Sequence, residues 1–268
     1  MQLAFVTLSC PEWTLEEAFA RGAANGCAGI EIQLIDGQFA DSRLLAQNRQ
    51  RLRDLSASSG CRLFSIGTLV GLAHQDRAEQ AEAIAEGRAI LEIAGDLGAD
   101  FIRVFGSWRL SSPPGEWMTD AATDTLSALI ETAARAKVRV ALETHDHFNS
   151  SARVASVVNR LDSPWVVALW DLMHPFRAGD TMESALANLG DRLGYVHVKD
   201  GRRRGDTFET TMPGEGEMPI AEALQALARR GYDGYVAYEW ERGQGSNLPT
   251  IDQALPAAMA VMRRALAG

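Results

Sequence analysis

Cysteine is scarce in this chain of 268 residues: there are three, Cys10, Cys27 and Cys61, and none belongs to a CxxC pair. That scatter supports neither a disulfide framework nor a structural zinc ribbon, and reads as reduced, half-buried thiols in a cytoplasmic protein. Long apolar runs are missing as well. No stretch approaches the 18 or more apolar residues of a membrane span, so no membrane partner is expected. The opening Met1-Gln2-Leu3-Ala4-Phe5-Val6 carries no basic residues ahead of its apolar part, and reads as a first strand rather than a signal peptide. Positive charge is also short, with 26 Lys and Arg against 35 Asp and Glu, a net charge of −9. Nucleic-acid-binding proteins usually present a basic face, and the strongest basic run here, Arg202-Arg203-Arg204, stands alone, so no nucleic-acid partner is expected. Finally, there is no Pro/Gly/Ser-rich linker and no low-complexity tract. Residues 1–268 read as one domain.

What is present is a repeated alternation. Short β-type runs at Leu3–Thr7, Gly29–Gln33, Arg62–Ile66, Phe101–Phe105, Arg139–Glu143, Val166–Asp171, Tyr195–Lys199 and Tyr235–Glu239 are each followed by a stretch with helical spacing of Ala and Leu. The helical stretches are Leu15–Asn25, Arg43–Ser59, Gln75–Leu97, Ala121–Lys137, Ala152–Leu161, Met182–Leu189, Ile220–Arg230 and Ile251–Leu266. Strict βα alternation demands parallel strands with right-handed crossovers. No GxGxxG follows the first strand, so the dinucleotide-binding open sheet lacks its marker. The length suits an α/β fold of the (β/α)₈ TIM barrel type, which takes about 250 residues. Gly26, Gly60, Gly98, Gly194 and Gly231 stand where helices end, as left-handed caps. The two longest irregular stretches, Gly106–Thr119 and Asp200–Pro219, follow strands and so belong over the C-terminal face, where active sites form.

Four consecutive strand ends carry residues that bind metals: Glu143, Asp171, His197 and Glu239. A single acidic residue at a strand end is more often a helix cap or a solvated group. Four on neighbouring strands of a barrel converge on one point, where the three carboxylates would repel without a cation. An oxygen-rich set with one imidazole suits one divalent metal ion, Mn²⁺, Mg²⁺ or Co²⁺, with Zn²⁺ as an alternative.

The text around these residues is Leu142-Glu143-Thr144-His145, Trp170-Asp171-Leu172-Met173-His174-Pro175, His197-Val198-Lys199-Asp200, Pro213-Gly214-Glu215-Gly216-Glu217 and Gly231-Tyr232-Asp233-Gly234 leading to Glu239. It resembles the xylose-isomerase-like barrel superfamily, in the branch of sugar isomerases and epimerases related to tagatose epimerase, hydroxypyruvate isomerase and inosose dehydratase. The resemblance implies an isomerase or epimerase of a small ketose or polyol-derived ketone. A proton next to the carbonyl is removed, and the metal stabilises the enediolate. It makes Glu143 and Glu239 both metal ligands and the paired bases on opposite faces of one carbon. His174 is implied to bind a substrate oxygen, and Arg203 to contact substrate hydroxyls, although its neighbours Arg202 and Arg204 also fit a solvated patch. Lys199 shares a strand face with His197 and either donates to substrate or balances the carboxylates. His145, Glu31, Trp13 and Trp108 are candidates for orienting or walling the site, and His74 and His147 read as loop histidines.

Three other readings bear on the same framework. A dehydratase of the inosose or dehydroshikimate type starts with the same proton abstraction. A non-catalytic sugar-binding barrel has no need of two opposed carboxylates. Endonuclease IV is similar in the Glu, Asp-x-x-His, His and Glu framework, but it requires extra histidines, one of them on the fourth strand. Here that strand reads Arg103-Val104-Phe105. A homo-oligomer is compatible with everything above.

Overall fold

The inward faces of the strands set the architecture. A computed structural model describes residues 1–205, 207–242 and 247–267, and in it eight parallel strands close into one barrel. We number them β1 (Gln2–Val6), β2 (Gly29–Ile32), β3 (Arg62–Gly71), β4 (Phe101–Phe105), β5 (Arg139–Glu143), β6 (Val166–Asp171), β7 (Leu193–Val198) and β8 (Tyr235–Tyr238). Each pairs with its neighbours in chain order, and β8 closes on β1 through Leu3 opposite Val236 and Phe5 opposite Tyr238. The expected TIM barrel is the fold.

Side chains alternate along a strand, so every second residue enters the barrel. Ala4, Phe64, Phe101, Ala141, Val167, Leu169, Tyr195, Tyr235 and Ala237 form one buried cluster there, separate from the larger one between strands and helices. Phe64 is its centre, stacked on Tyr235 at 4.0 Å and edge-on to Tyr195 at 5.3 Å. The barrel floor is therefore a packed plug, and burying each such large apolar side chain stabilises the fold by about 1.5–3 kcal/mol. Both faces of the sheet are covered, which is why β4 and β6 are buried at every residue.

Local signals start and stop the outer helices. Asp76 accepts from the amides of Ala78 and Glu79 to begin Arg77–Leu97, which ends at Gly98 with φ 72°. Thr14 and Glu17 form a reciprocal capping box before Leu15–Ala24. Among the described residues no helix is long and apolar enough to cross a membrane.

Several expectations need correction. The helical stretch Arg43–Ser59 is two helices, Ser42–Gln47 and Arg49–Ser58, broken at Asn48, whose ψ of 9° leaves the helical region. Strand β3 runs on to Gly71, because its end pairs with Phe105 across an irregular register. The irregular stretch Gly106–Thr119 is shortened by a helix that begins at Trp117, and Asp200–Pro219 contains an antiparallel hairpin of Gly201–Arg204 with Thr207–Thr210. A short helix, Met173–Ala178, and a second hairpin, Leu34–Ile35 with Gln38–Phe39, were not anticipated. The cysteines are buried outright rather than half-buried, and burial pushes all three thiols up.

Gly194 is not a cap. It lies inside β7, and a Cβ there would meet Val167 Cγ2 at 2.6 Å and Phe101 Cε1 at 3.0 Å. The left-handed glycine before β7 is Gly190. Gly194→Ala should therefore destabilise by about 1–3 kcal/mol through overpacking of the floor. Urea unfolding measures this, and a loss below a few tenths of a kcal/mol would show that the floor accommodates the added methyl.

Candidate active site

One step up from the apolar floor, the same strands turn charged. Two residues beyond the plug, Phe101 leads to Arg103, Ala141 to Glu143, Leu169 to Asp171, Tyr195 to His197 and Ala237 to Glu239, while Gly29 on β2 leads to Glu31. Closure brings one ligand-type atom from each of Glu143, Asp171, His197 and Glu239 within 4.8 Å of one another, all buried. His197 is fixed from behind: Glu31 Oε2 lies 3.0 Å from its Nε2, so Nε2–H donates there and Nδ1 faces the cluster. That Nδ1 is 3.3 Å from Glu143 Oε1 and 3.8 Å from Glu239 Oε2.

Asp171 does two things at once. Its Oδ1 accepts from the amides of Met173 and His174, starting the short helix, and its Oδ2 turns to the cluster. One carboxylate oxygen thus anchors the backbone that follows the strand while the other faces the cluster. Arg103 is buried among these groups. Its Nη1 donates to the Thr68 carbonyl at 2.9 Å, its Nε lies 3.4 Å from Glu143 Oε2 and 3.8 Å from Glu31 Oε1, and its guanidinium covers the Phe105 ring. Lys199 Nζ donates to Glu239 Oε2 at 2.7 Å, lies 3.0 Å from Asp171 Oδ2 and also pairs with Glu241.

The charges do not balance among themselves. Glu31, Glu143, Asp171 and Glu239 supply four buried negative charges against the two positive charges of Arg103 and Lys199, leaving −4 + 2 = −2 with neutral His197. Glu143 Oε2 and His197 Nδ1 are buried without a hydrogen bond, and Asp171 Oδ2 faces only the Lys199 ammonium. A divalent cation at their common centre removes both deficits, so these residues fit such an ion. Proton affinities point the same way. Burial alone would lower the His197 imidazole, but the Glu31 and Glu239 charges and the Glu143 contact raise it well above its usual range. Burial, with the Glu143 charge, raises Asp171 against the pull of Lys199. Glu143 stays well below the usual carboxylate range because Arg103 and His197 outweigh its burial.

His174, expected to touch substrate, sits beside the cluster with Nε2 4.0 Å from Asp171 Oδ2. Burial, then the Lys199 and His145 charges, holds its imidazole well below the usual value, so it is neutral. Its ring packs edge-on to His145, whose Nδ1 is 2.9 Å from Asp146 Oδ1. A cavity of about 270 Å³ opens over Glu143 and Glu239, walled by Leu8, Phe39, Leu69 and Trp108. Trp13 instead packs in the core against Phe5. Arg203 is exposed on the hairpin after β7 and shares a second, polar cleft of about 360 Å³ with His174. His74 lies 3.0 Å from the Gly71 carbonyl and 3.4 Å from Glu79, and His147 Nδ1 lies 3.3 Å from Ser107 Oγ, on the loop after β4.

Sequence reasoning passed over three residues. Arg103 was considered only as the absence of a histidine, though an arginine two positions beyond an inward phenylalanine is itself a signal. Glu241, the partner of Lys199, follows the Glu-Trp step of its strand end. Asp200 is the third. Buried at 2% exposure, it accepts from the amides of Gly201 (2.8 Å), Gly214 (2.8 Å), Gly216 (3.1 Å) and Met218 (3.2 Å). No room is left for a side chain at Gly216 against it. This carboxylate ties down the Pro213–Met218 segment and with it the base of the hairpin that carries Arg203.

Comparison with known proteins gives a consistent set. The profile of the xylose isomerase-like TIM barrel family matches residues 19–265. Fructoselysine 3-epimerase of Escherichia coli O157:H7 is 23% identical over 240 residues, covering 84% of this chain and 85% of its own. Among solved structures, the IOLI protein with a bound zinc atom superposes with a TM-score of 0.85 at 20% identity, covering 100% of this chain and 98% of its own. The probable 3-DHS dehydratase from Bacillus anthracis superposes with a TM-score of 0.77 at 17% identity, covering 98% and 99%.

Replacing Asp200 by Ala should strand several buried amides and cost about 2–3 kcal/mol. Hydrogen exchange at Gly214, Gly216 and Met218 should quicken while the strands keep their protection. Unchanged exchange at those three amides would show that the carboxylate does not hold the segment.

Proposed function

Starting from its membership of the xylose isomerase-like TIM barrel family, we propose that this chain is a metal-dependent epimerase or isomerase of a small ketose or related polyol-ketone. We take it as one cytoplasmic barrel domain over residues 1–268. The observation that carries this reading is the pair of glutamates, Glu143 and Glu239, flanking His197 Nδ1 at 3.3 and 3.8 Å from opposite sides of β6 and β7. Glu143, Asp171, His197 and Glu239 hold the ion, which is Mn²⁺, Mg²⁺ or Co²⁺, with Zn²⁺ as the alternative. When bound, it supplies Lewis-acid polarisation of the substrate carbonyl and lowers the cost of the enediolate.

The residues of the chain do the rest. One glutamate removes the proton from the carbon beside the carbonyl, and the other returns a proton to the opposite face, inverting the centre. Neutral His174 offers Nε2, which has no hydrogen-bond partner, to a substrate oxygen. Lys199, already bonded to Glu239 and Glu241, holds Glu239 in place and neutralises its charge between proton transfers. The apolar wall of Leu8, Phe39, Leu69 and Trp108 keeps water from the reacting carbon.

Dehydration is the second reading, and one observation favours it. His145 is paired with Asp146 and packed on His174, and the Asp146 and Glu143 contacts raise its imidazole despite burial. That makes His145 a proton source for a departing hydroxyl. Loss of water to give a conjugated enol-ketone from an inosose, or an aromatic catechol from a dehydroshikimate-type substrate, each followed by ultraviolet absorbance, would establish this reaction over epimerisation.

Refolding with Mn²⁺ should give about one ion per chain by elemental analysis, and Asp171→Ala or His197→Ala should lose it. Three zinc ions per chain would instead revive the nuclease framework. With a turned-over ketose in hand, Glu143→Gln or Glu239→Gln should lower the rate by about 10²–10⁴. Turnover in deuterated water should place deuterium at the carbon beside the carbonyl. Complete retention of the substrate hydrogen, without solvent label, would mean a hydride shift and would overturn the two-base proposal.

A further inference from the structure

The second cleft differs from the rest of the mouth in charge. It is lined by His174, Arg177, Arg203, Asp146, Asn149 and Thr207, over Phe208. Its two arginines come from different elements, Arg177 from the helix Met173–Ala178 and Arg203 from the hairpin strand Gly201–Arg204. Phe208 joins them: it stands opposite Arg203 in the hairpin register, and the Arg177 guanidinium lies 5.7 Å from its ring centre. Among the described residues neither guanidinium has a carboxylate partner; what sets this pair apart is that both line one polar cleft together with His174. The one acid in the cleft, Asp146, has Oδ1 2.9 Å from His145 Nδ1, while its Oδ2 is buried without a hydrogen bond. Another cleft is acidic in balance, with Asp41, Glu79, Glu82 and Glu86 against Arg109.

We propose that this cleft is an anion subsite, holding a phosphate or carboxylate at the far end of the substrate between Arg177 and Arg203. Two planar guanidinium groups lining one cleft, neither with a carboxylate partner among the described residues, match a multi-oxygen anion, which each can engage through paired N–H donors. Asn149 and Thr207 add neutral donors on the same walls. His174 links the subsite to the reacting end, because it lines this cleft while its Nε2 lies 4.0 Å from Asp171 Oδ2. A ketose with its carbonyl at the four-residue cluster runs past His174 and places its remote end at the arginines. In a chain of net charge −9, this local positive field also selects the orientation in which such a substrate enters. The inference rests on the ketose reading for what occupies the other end, but the anion chemistry of the cleft is independent of it.

The test titrates inorganic phosphate, and separately acetate, into the full chain loaded with Mg²⁺, by calorimetry at low ionic strength. Phosphate should bind at about one per chain, and Arg177→Gln or Arg203→Gln should each weaken it by about tenfold or more. Arg109→Gln, in the acidic cleft, should leave it unchanged. Acetate held as well as phosphate assigns the subsite to carboxylate-bearing substrates; a clear preference for phosphate assigns it to phosphorylated ones. Phosphate binding that is equal in the native chain and in the double variant overturns the subsite. The same variants are then assayed on paired ketoses with and without a terminal phosphate. Turnover of neutral and phosphorylated ketoses with KM unmoved by either substitution overturns the subsite and leaves the epimerase reading standing. Arginine-dependent phosphate binding with no ketose turned over sustains the subsite and removes the epimerase reading.

Discussion

The structure depends on a change from apolar to charged within a single two-residue step, made at the same height on neighbouring strands. Below the step, Phe64, Tyr195, Phe101 and Tyr235 close the barrel. Above it, Glu31, Arg103, Glu143, Asp171, His197 and Glu239 meet as buried side chains at the base of the cavity. Charges buried to this degree are costly unless paired, and the two fixed cations present cannot neutralise four carboxylates. The residual negative charge gives the centre its demand for a divalent ion and raises the proton affinity of His197, while burial above all raises that of Asp171. Floor and centre are thus two outcomes of one strand geometry.

The loops are held by carboxylates that serve the backbone as well as the site. Asp171 divides its two oxygens between the start of a helix and the centre. Asp200, adjacent to Lys199, gathers four amides of the segment that follows β7. Such bonds link the position of His174 and the hairpin to the strands themselves. A site built this way keeps its groups near their working geometry before substrate arrives, which is where much of the benefit of orientation in catalysis originates.

How much of this was legible depended on the range of the interaction concerned. Period-two and helical spacing are local, so strands β4, β5 and β6 were delimited correctly from the residues, and the other strands to within two residues except at the far end of β3. Because closure of a parallel barrel brings strand ends together, four such residues on consecutive strands could be grouped without coordinates, and the structure does bring Glu143, Asp171, His197 and Glu239 together. Asn48, by contrast, breaks a continuous helical pattern through its own backbone angles, and the hairpin of Gly201–Arg204 with Thr207–Thr210 is hidden in a polar stretch without alternation.

The sequence by itself determined the parallel barrel, the strand ends that carry the acidic and imidazole groups, and the excess of negative charge. These follow from spacing along one chain, which local sterics and burial translate directly into faces and ends of elements. Only the tertiary structure decided that Glu31 orients His197, that Arg103 is buried against Glu143, that Gly194 is needed by the floor, and that Arg177 and Arg203 share one cleft over Phe208. Each of those relations joins residues on different elements. Their separation is set by the barrel's register and by the path of its loops, and no periodicity along the chain contains that distance.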